Sequence, residues 1–405
     1  MAEFRALWFA VVLSRGGTQL ARVALAVLAY QRTGSPAVTA LVYALTLLPA
    51  IIGGSFLGGL ADRYPRRELL VVCALSRAGL VALIAIPGIP LWILCVLVFV
   101  VQMIESPAKA AQMALLPDML TGEAYSTGLA AIVLTGQIVS LVAFAAGGVL
   151  VGAIGTSGTL FLNAVAFALM ALIIRWGLPH SPAARLTEPG DRWWPRFRDP
   201  DGGARLILGS PRLRSLLALA LLAGFYVVPE VLAAPYAAEL GLGTAEVGLL
   251  MAVMPVGNVV GVFLITRFVP PDLRLRSMGP LAIASSVPLV FSALFPGFVP
   301  SLILWTLVGV LSAYQVTANA EFVRIAPRER RGQVLGLASS VLVAVQGAGM
   351  ILGGVLADHV GVSLTLVLAG VAGSLMGVLA AVSWHRARQG AGSPEVSPSS
   401  SESLR

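Results

Sequence analysis

Charge is scarce in this chain of 405 residues, since Asp, Glu, Lys and Arg together make up only 11% of it. Soluble globular proteins carry roughly 25% charged residues, so the composition is not that of a water-soluble enzyme. Cysteine is almost absent, because Cys73 and Cys95 stand alone in separate apolar stretches, and only three histidines occur. These counts argue against a disulfide scaffold and leave almost no ligands for a metal site.

Apolar residues dominate instead, at 58% of the chain with a mean hydropathy of +0.90. A membrane-spanning helix needs about 20 consecutive apolar residues. The chain lacks the short alternating segments of a β-barrel, so we predict an all-α membrane protein. Twelve apolar stretches are predicted to span the membrane, at 6–30, 38–61, 68–87, 90–112, 125–150, 155–178, 214–236, 246–267, 277–296, 299–322, 332–357 and 361–384.

The arginines are distributed unequally between the two ends of these spans. One side carries Arg63, Arg66, Arg67, seven arginines between 185 and 214, Arg274, Arg276 and four arginines between 324 and 331. The connections on the other side carry Arg32 together with the acids Glu239, Glu246 and Asp358. Because cytoplasmic loops are rich in arginine and lysine, we predict a multi-pass protein of the cell membrane with both termini in the cytoplasm.

The spans divide into two halves that resemble each other. Residues 147–170 and 353–376 align without gaps at 13 of 24 positions. We therefore predict two pseudo-symmetric six-helix bundles, which is a transporter architecture. The predicted organisation is an N-terminal bundle at 1–178, a cytoplasmic linker loop at 179–213, a C-terminal bundle at 214–389 and a disordered cytoplasmic tail at 390–405.

One motif makes a family resemblance explicit. Residues 58–67 read GGLADRYPRR, at the arginine-rich end of the second predicted span. This resembles the loop signature G-x-L-a-D-r-x-g-r-[RK] of the major facilitator superfamily and stands at the same place. The resemblance implies that fold and a gating role for five residues of the motif: Gly58, Asp62, Arg63, Arg66 and Arg67.

Residues 5–180 are also similar to drug and siderophore exporters of the enterobactin-exporter kind. The similarity rests on 13–15 (LSR) with Gln19, on 30–35 (YQRTGS), and on 106–108 (SPA) with 115–117 (LLP). It implies export of hydrophobic or amphipathic compounds by alternating access, driven by the proton gradient and without a bound cofactor. The acid common in the first span of that subgroup is missing here, where the chain reads Ala21-Arg22, so a coupling acid is sought elsewhere.

Polar side chains on the first span are candidates for substrate binding. Arg15, Gln19 and Arg22 are spaced four and three residues apart and so share one helix face. Ionisable groups inside a bilayer are costly and mark functional sites. We predict that this face lines a central cavity and binds an anionic or carbonyl-bearing group. The alternative is that Arg15 pairs with an acid or carbonyl at a helix interface, or extends to the membrane surface.

Two carboxyl groups are candidates for proton coupling. Glu105 has Lys109 one turn further on, and the resemblance suggests that it joins the loop arginines in a gating network. Direct contact with the substrate and a plain ion pair with Lys109 are the alternatives. Glu230 has Tyr226 one turn before it and is the acid nearest the middle of the second half. A carboxyl inside the membrane can carry a proton. The alternative for Glu230 is a position near the outer interface.

Gln315 and Asn319 occupy the places of Glu105 and Lys109 when Pro117 is aligned with Pro327. They are predicted either to line the cavity on the other half or to form hydrogen bonds between helices.

Two classes of function compete at this point. A proton-coupled exporter of drugs, antibiotics or siderophores agrees best with the sequence, and an importer, uniporter or lipid mover of the same fold is the alternative within transport. A membrane enzyme or sensor would need converging catalytic side chains or an added soluble domain, and the sequence has neither. The predicted partners are a small-molecule substrate and the bilayer, with no nucleic acid and a monomeric chain.

Overall fold

The computed structural model describes residues 2–57, 60–179, 200–328 and 330–389, and this part of the chain is helical without any β-strand. The first half contains α1 (Ala2–Thr33), α2 (Pro36–Ala44), α3 (Pro49–Leu57), α4 (Leu60–Arg63), α5 (Arg66–Ile84), α6 (Leu91–Met119) and α7 (Glu123–Gly177). The rest contains α8 (Pro200–Gly209), α9 (Pro211–Leu221), α10 (Ala223–Tyr226), α11 (Val228–Glu239), α12 (Thr244–Phe268), α13 (Pro271–Ala284), α14 (Val287–Val290), a 3₁₀ turn (Phe291–Ala293), α15 (Phe298–Ser312), α16 (Tyr314–Ile325), α17 (Arg331–Val360) and α18 (Val362–Gln389).

These helices form twelve membrane-crossing segments. Within the described residues, nine helical stretches are long and apolar enough to span a membrane. One of them, α7, consists of two helices joined at Gly155 and therefore crosses twice. The third and ninth predicted spans are α5, which contains four charged residues, and the interrupted segment from α13 to the 3₁₀ turn. The prediction of an all-α fold with twelve spans is confirmed.

The sequence repeat builds the same turn in both halves. Gly155 and Gly361 have φ angles of 74° and 86°, in the left-handed region that favours glycine. The hydroxyl groups of Thr159 and Thr365 then donate to the carbonyl groups of these glycines at 2.9 and 2.8 Å. The repeated residues therefore specify how the sixth and twelfth spans begin.

An even number of crossings places the start of α1 and the end of α18 on the same side of the bundle. We call this the linker side, and the opposite one the distal side. The linker side carries the predicted gating motif, and the distal side carries the turns at Gly155 and Gly361.

Several spans are interrupted inside the membrane. In the second span α2 ends at Ala44 and α3 begins at Pro49, which has no N–H to donate. In the seventh span α10 lies between turns, and Pro229 follows the second turn. A broken helix is tolerated in a membrane where other groups satisfy its freed backbone. Here the hydroxyl of Tyr314 donates to the carbonyl of Leu219 at 2.8 Å.

The two halves contact each other closely along two seams on the distal side. In the first seam α7 crosses α12, and a Cβ atom added to Gly248 would lie 2.7 Å from the carbonyl oxygen of Phe144. In the second seam α2 packs against α17, and a Cβ atom added to Gly354 would lie 2.8 Å from the carbonyl oxygen of Pro36. Small residues let helix backbones approach each other in this way. The distal side is therefore closed.

The predicted linker loop is partly helical. Helix α8 lies within it, and α9 already begins at Pro211. Ser210 caps α9, because its side chain accepts a hydrogen bond from the N–H of Leu213 at 3.4 Å. Helix α8 forms because Ile207 becomes buried and Gly203 packs on α17. The rest of the predicted linker up to 199 and the predicted disordered tail lie outside the described residues.

Candidate functional site

A hydrogen bond joins the two halves about two helical turns inside the distal side. The hydroxyl of Tyr43, on α2, donates to the Oε1 atom of Glu230, on α11. Tyr43 is completely buried, and Glu230 is half-buried. The guanidinium group of Arg22 lies 6.0 Å from the centre of the Tyr43 ring and donates weakly to the carbonyl of Thr46 at 3.5 Å. Arg22, Tyr43 and Glu230 thus form a chain of polar groups from the first span to the seventh.

A second polar cluster lies within the first half. Arg77, on α5, is only 3% exposed, and its Nη2 atom lies 3.3 Å from the Oε2 atom of Glu105. The amide of Gln102 donates to the same oxygen at 3.0 Å. The Arg77 guanidinium also lies 4.1 Å from the centre of the Phe167 ring, a cation–π contact. This cluster ties together spans three, four and six.

The partner of Glu105 differs from the predicted ones. Glu105 forms its ion pair with Arg77, whereas the side chain of Lys109 is exposed. The loop arginines do not supply the ion pair either, because Arg66 pairs with Asp118 at the linker-side end of α6. Asp118 stands 13 residues beyond Glu105, about 20 Å along the helix, so the loop and Glu105 belong to different levels of the membrane.

The two clusters share a small cavity. Its polar lining consists of Thr18, Arg22, Thr46, Arg77, Gln102 and Asn163, and about 40 Å³ inside it is open to water. A water molecule needs roughly 10–15 Å³ of such space and two to four polar partners. The Nε atoms of Arg22 and Arg77 and the Oδ1 atom of Asn163 are buried there without a partner among the described residues. The cavity is therefore suited to hydration between the two clusters.

The other predicted substrate-binding residues are only partly brought together. Arg15 lies against Gly136 of α7, and Gln19 is half-buried one turn further along α1. On the second half, Gln315 donates to the carbonyl of Ala220 at 3.1 Å, which is the predicted helix-to-helix alternative. Asn319 is exposed. A binding role for these four residues stays a prediction.

The predicted gating motif is described in part. Arg66 donates to the carbonyl of Ala114 at 2.9 Å and pairs with Asp118, so it fixes the start of α5 to the end of α6. Arg67 donates to the carbonyl of Arg175. Arg63 is exposed. Gly58 and the side chain of Asp62 lie outside the described residues, and the gating role of the motif stays a prediction.

Sequence reasoning missed Arg77, Tyr43 and Asn163. A signal for Arg77 was present, because it is a single cation in the middle of an otherwise apolar span. No comparable signal marks Tyr43 or Asn163, since lone aromatic and amide residues in a span are common in helix packing. Their importance depends on what the fold places beside them.

Removing the cation of the buried ion pair should destabilise the first half. We expect Arg77→Met to lower the free energy of unfolding by about 2 kcal/mol, because Glu105 then loses its cation and keeps only the hydrogen bond from Gln102. The double variant Arg77→Met/Glu105→Gln should recover part of this loss, and Arg276→Met, at an exposed position on α13, should change little. Thermal unfolding in detergent measures all three. Equal stability of Arg77→Met and Arg276→Met would contradict the role of the pair.

Two similar six-helix halves, with polar groups meeting inside the membrane where they join, define a secondary transporter. Residues 7–313 match the sequence profile of the Major Facilitator Superfamily, and the chain belongs to this superfamily. It is thus a multi-pass membrane transporter and not an enzyme.

Comparison with known proteins supports the same assignment. The chain is similar to the multidrug efflux pump Tap of Mycolicibacterium fortuitum, at 25% identity over 402 residues that cover 92% of this chain and 93% of that protein. It is also similar to the uncharacterized MFS-type transporter YkuC of Bacillus subtilis (strain 168), at 28% identity over 178 residues, which cover 43% of this chain and 41% of that protein.

Solved structures share the fold at low sequence identity. A bacterial homologue of the human lysosomal transporter Spinster, in an inward-facing and occupied conformation, superposes with a TM-score of 0.73 at 16% identity. That match covers 94% of this chain and 96% of the other. A POT family transporter in complex with 5-aminolevulinic acid gives a TM-score of 0.74 at 10% identity, covering 95% and 96% of the two chains.

Proposed function

We propose that this chain exports small hydrophobic or amphipathic compounds from the cytoplasm in exchange for protons, and that Glu230 carries the proton. The hydrogen bond between Tyr43 and Glu230 is the observation that supports the proposal most directly. The bond connects the carboxyl group of Glu230, in the second half, to the side chain of Tyr43, in the first half. Protonation of Glu230 can therefore influence how the two halves are arranged. The similarity to a multidrug efflux pump over nearly the whole chain supports the direction and the type of substrate.

The arginine distribution makes the linker side cytoplasmic and the distal side external. In the closed distal arrangement Tyr43 donates to Glu230, and the charge of Arg22 lies nearby. In the proposed cycle Glu230 releases its proton to the cytoplasm in this arrangement, because the closed distal side separates the site from the exterior.

Opening of the distal side would separate α2 from α11. Glu230 would then lose its contact with Tyr43 and become accessible from outside, from where it takes up a proton. Proton entry would thus follow from the movement of the halves, and substrate would leave by the opposite movement. Both halves come from one chain, which supports a monomer as the working unit.

Transport by the purified protein in liposomes tests this proposal. With a pH gradient imposed in either direction, ethidium and carboxyfluorescein serve as amphipathic probes of opposite charge. We expect accumulation of at least one probe against its concentration gradient, in the compartment from which protons leave. Probe movement that follows protons in the same direction would indicate an importer. Movement that ignores the gradient would indicate a uniporter or a lipid mover.

A further inference from the structure

A carboxylate of the second half forms hydrogen bonds with the start of a helix of the first half at the distal side. Asp358 lies near the end of α17, and its Oδ2 atom accepts a hydrogen bond from the hydroxyl of Ser35 at 2.8 Å. Its Oδ1 atom lies 3.4 Å from the N–H of Ala37, in the first turn of α2. The two residues that Asp358 contacts are more than 320 positions away in the sequence, on the other side of the seam.

The start of α2 is well suited to receive this carboxylate. The first N–H groups of a helix have no partner within the helix, and the helix dipole makes this end positive. Ser35 already caps α2 by accepting a bond from the N–H of Val38 at 3.2 Å. Asp358 adds a negative charge and two hydrogen bonds that only the other half can supply, and bonds of this charged kind are stronger than neutral ones.

The neighbouring acid makes the same type of contact without crossing the seam. Glu239, at the end of α11, accepts a bond from the N–H of Val362, at the start of α18, at 3.1 Å. Both residues of this contact belong to the second half. Tyr30 of α1 lies close enough to interact electrostatically with Glu239 and Asp358. His359 follows Asp358 in the chain. The contact of Asp358 therefore joins the two halves, whereas the contact of Glu239 lies within the second half.

At the other seam, the position equivalent to Asp358 is a glycine. The repeat aligns Asp358 with Gly152 of α7, at the offset of 206 that relates the two halves. A Cβ atom added to Gly152 would lie 3.0 Å from the hydroxyl oxygen of Thr244 on α12, so the seam there is closed by packing of small groups. The polar contact is therefore specific to the seam between α2 and α17.

We infer that Asp358 is a positioning residue of the transport cycle: it latches α17 to the start of α2, holds the distal side closed, and must be released each time that side opens. The inference requires only that the two halves move relative to each other. It does not depend on Glu230, on protons or on the direction of transport, so it can fail or succeed separately from the proposed function.

Distance measurement across the distal side tests the latch. Spin labels are placed at Ile86 and Leu294, which are exposed at the distal ends of the third and ninth spans, in the full chain with Cys73 and Cys95 replaced by alanine. Electron–electron resonance then gives the distribution of distances between the halves. We expect Asp358→Asn to shift the ratio of closed to open molecules about threefold towards open, because both hydrogen bonds of Asp358 are exposed and an exposed charged contact is worth less than about 1 kcal/mol.

Two further variants make the result specific. Asp358→Glu keeps the charge and should retain most of the closed population. Glu239→Gln removes an equivalent carboxylate that does not cross the seam, and its distance distribution should equal that of the parent. The latch is refuted if Asp358→Asn also leaves the distribution unchanged, or if Glu239→Gln opens the distal side equally. If Asp358→Asn does not fold, Asp358→Ala and Ser35→Ala are measured, and an unshifted distribution in whichever of them folds refutes the latch equally.

Discussion

Replacing Glu230 with glutamine should reduce uphill, gradient-driven transport to the level of empty liposomes. Glutamine keeps the size of the side chain and can still accept the hydrogen bond from Tyr43, but it cannot bind or release a proton at physiological pH. Downhill exchange of substrate should continue within about tenfold of the parent rate, since only the charge component of one hydrogen bond is lost. Both quantities are measured in the same liposomes, with and without an imposed pH gradient.

Glu239→Gln is the matched control for this prediction. Glu239 is a glutamate of the same span, nine residues further on, and its hydrogen bond stays within the second half. It should leave uphill transport intact. Full gradient-driven transport by Glu230→Gln would reject Glu230 as the proton carrier, and Glu105 would then be the carboxyl to test inside the described spans.

A leucine at position 248 should prevent the distal side from closing. A Cβ atom at Gly248 already lies 2.7 Å from both the carbonyl oxygen of Phe144 and the backbone nitrogen of Gly148, and no flexible side chain is present to yield. Forcing extra atoms into a packed contact costs about 1–3 kcal/mol, which corresponds to a shift of up to about a hundredfold from closed to open. We expect transport to fall near background and the distance between Ile86 and Leu294 to lengthen in most molecules.

Gly79→Leu provides the comparison. Gly79 also lies within a span, on α5, but a Cβ atom added there meets nothing within 4 Å. This variant should transport at the parental rate and keep the closed distance. If Gly248→Leu behaved in the same way, the crossing of α7 and α12 would not be needed for closure.

The fold could be predicted from the sequence because the constraints of the bilayer act on each span separately. Apolar runs must become helices, whichever partners they have. The repeat between 147–170 and 353–376 then related the two halves, and the structure shows its glycines and threonines in equivalent turns.

The candidate site was less predictable because its partners come from different helices. Glu105 was predicted to join the loop arginines or to pair with Lys109, yet its ion pair forms with Arg77 on the neighbouring α5. Glu230 was predicted from its place near the middle of the second half, but its hydrogen-bond partner comes from the first half. The interruptions within the spans were also missed, because the apolar pattern continues through the breaks. Helix α8 was missed because it lies in the predicted linker.

The cavity beside Arg77 has a consequence for how the transporter operates. All of its lining residues, from Thr18 to Phe167, belong to the first half. If each half moves as a unit, the cavity and its charges travel together and keep their internal geometry throughout the cycle. The ion pair between Arg77 and Glu105 then keeps its place beside Arg22 in both conformations. Substitutions of Arg77 or Glu105 should therefore disturb both conformations to a similar extent and leave the ratio between them nearly unchanged.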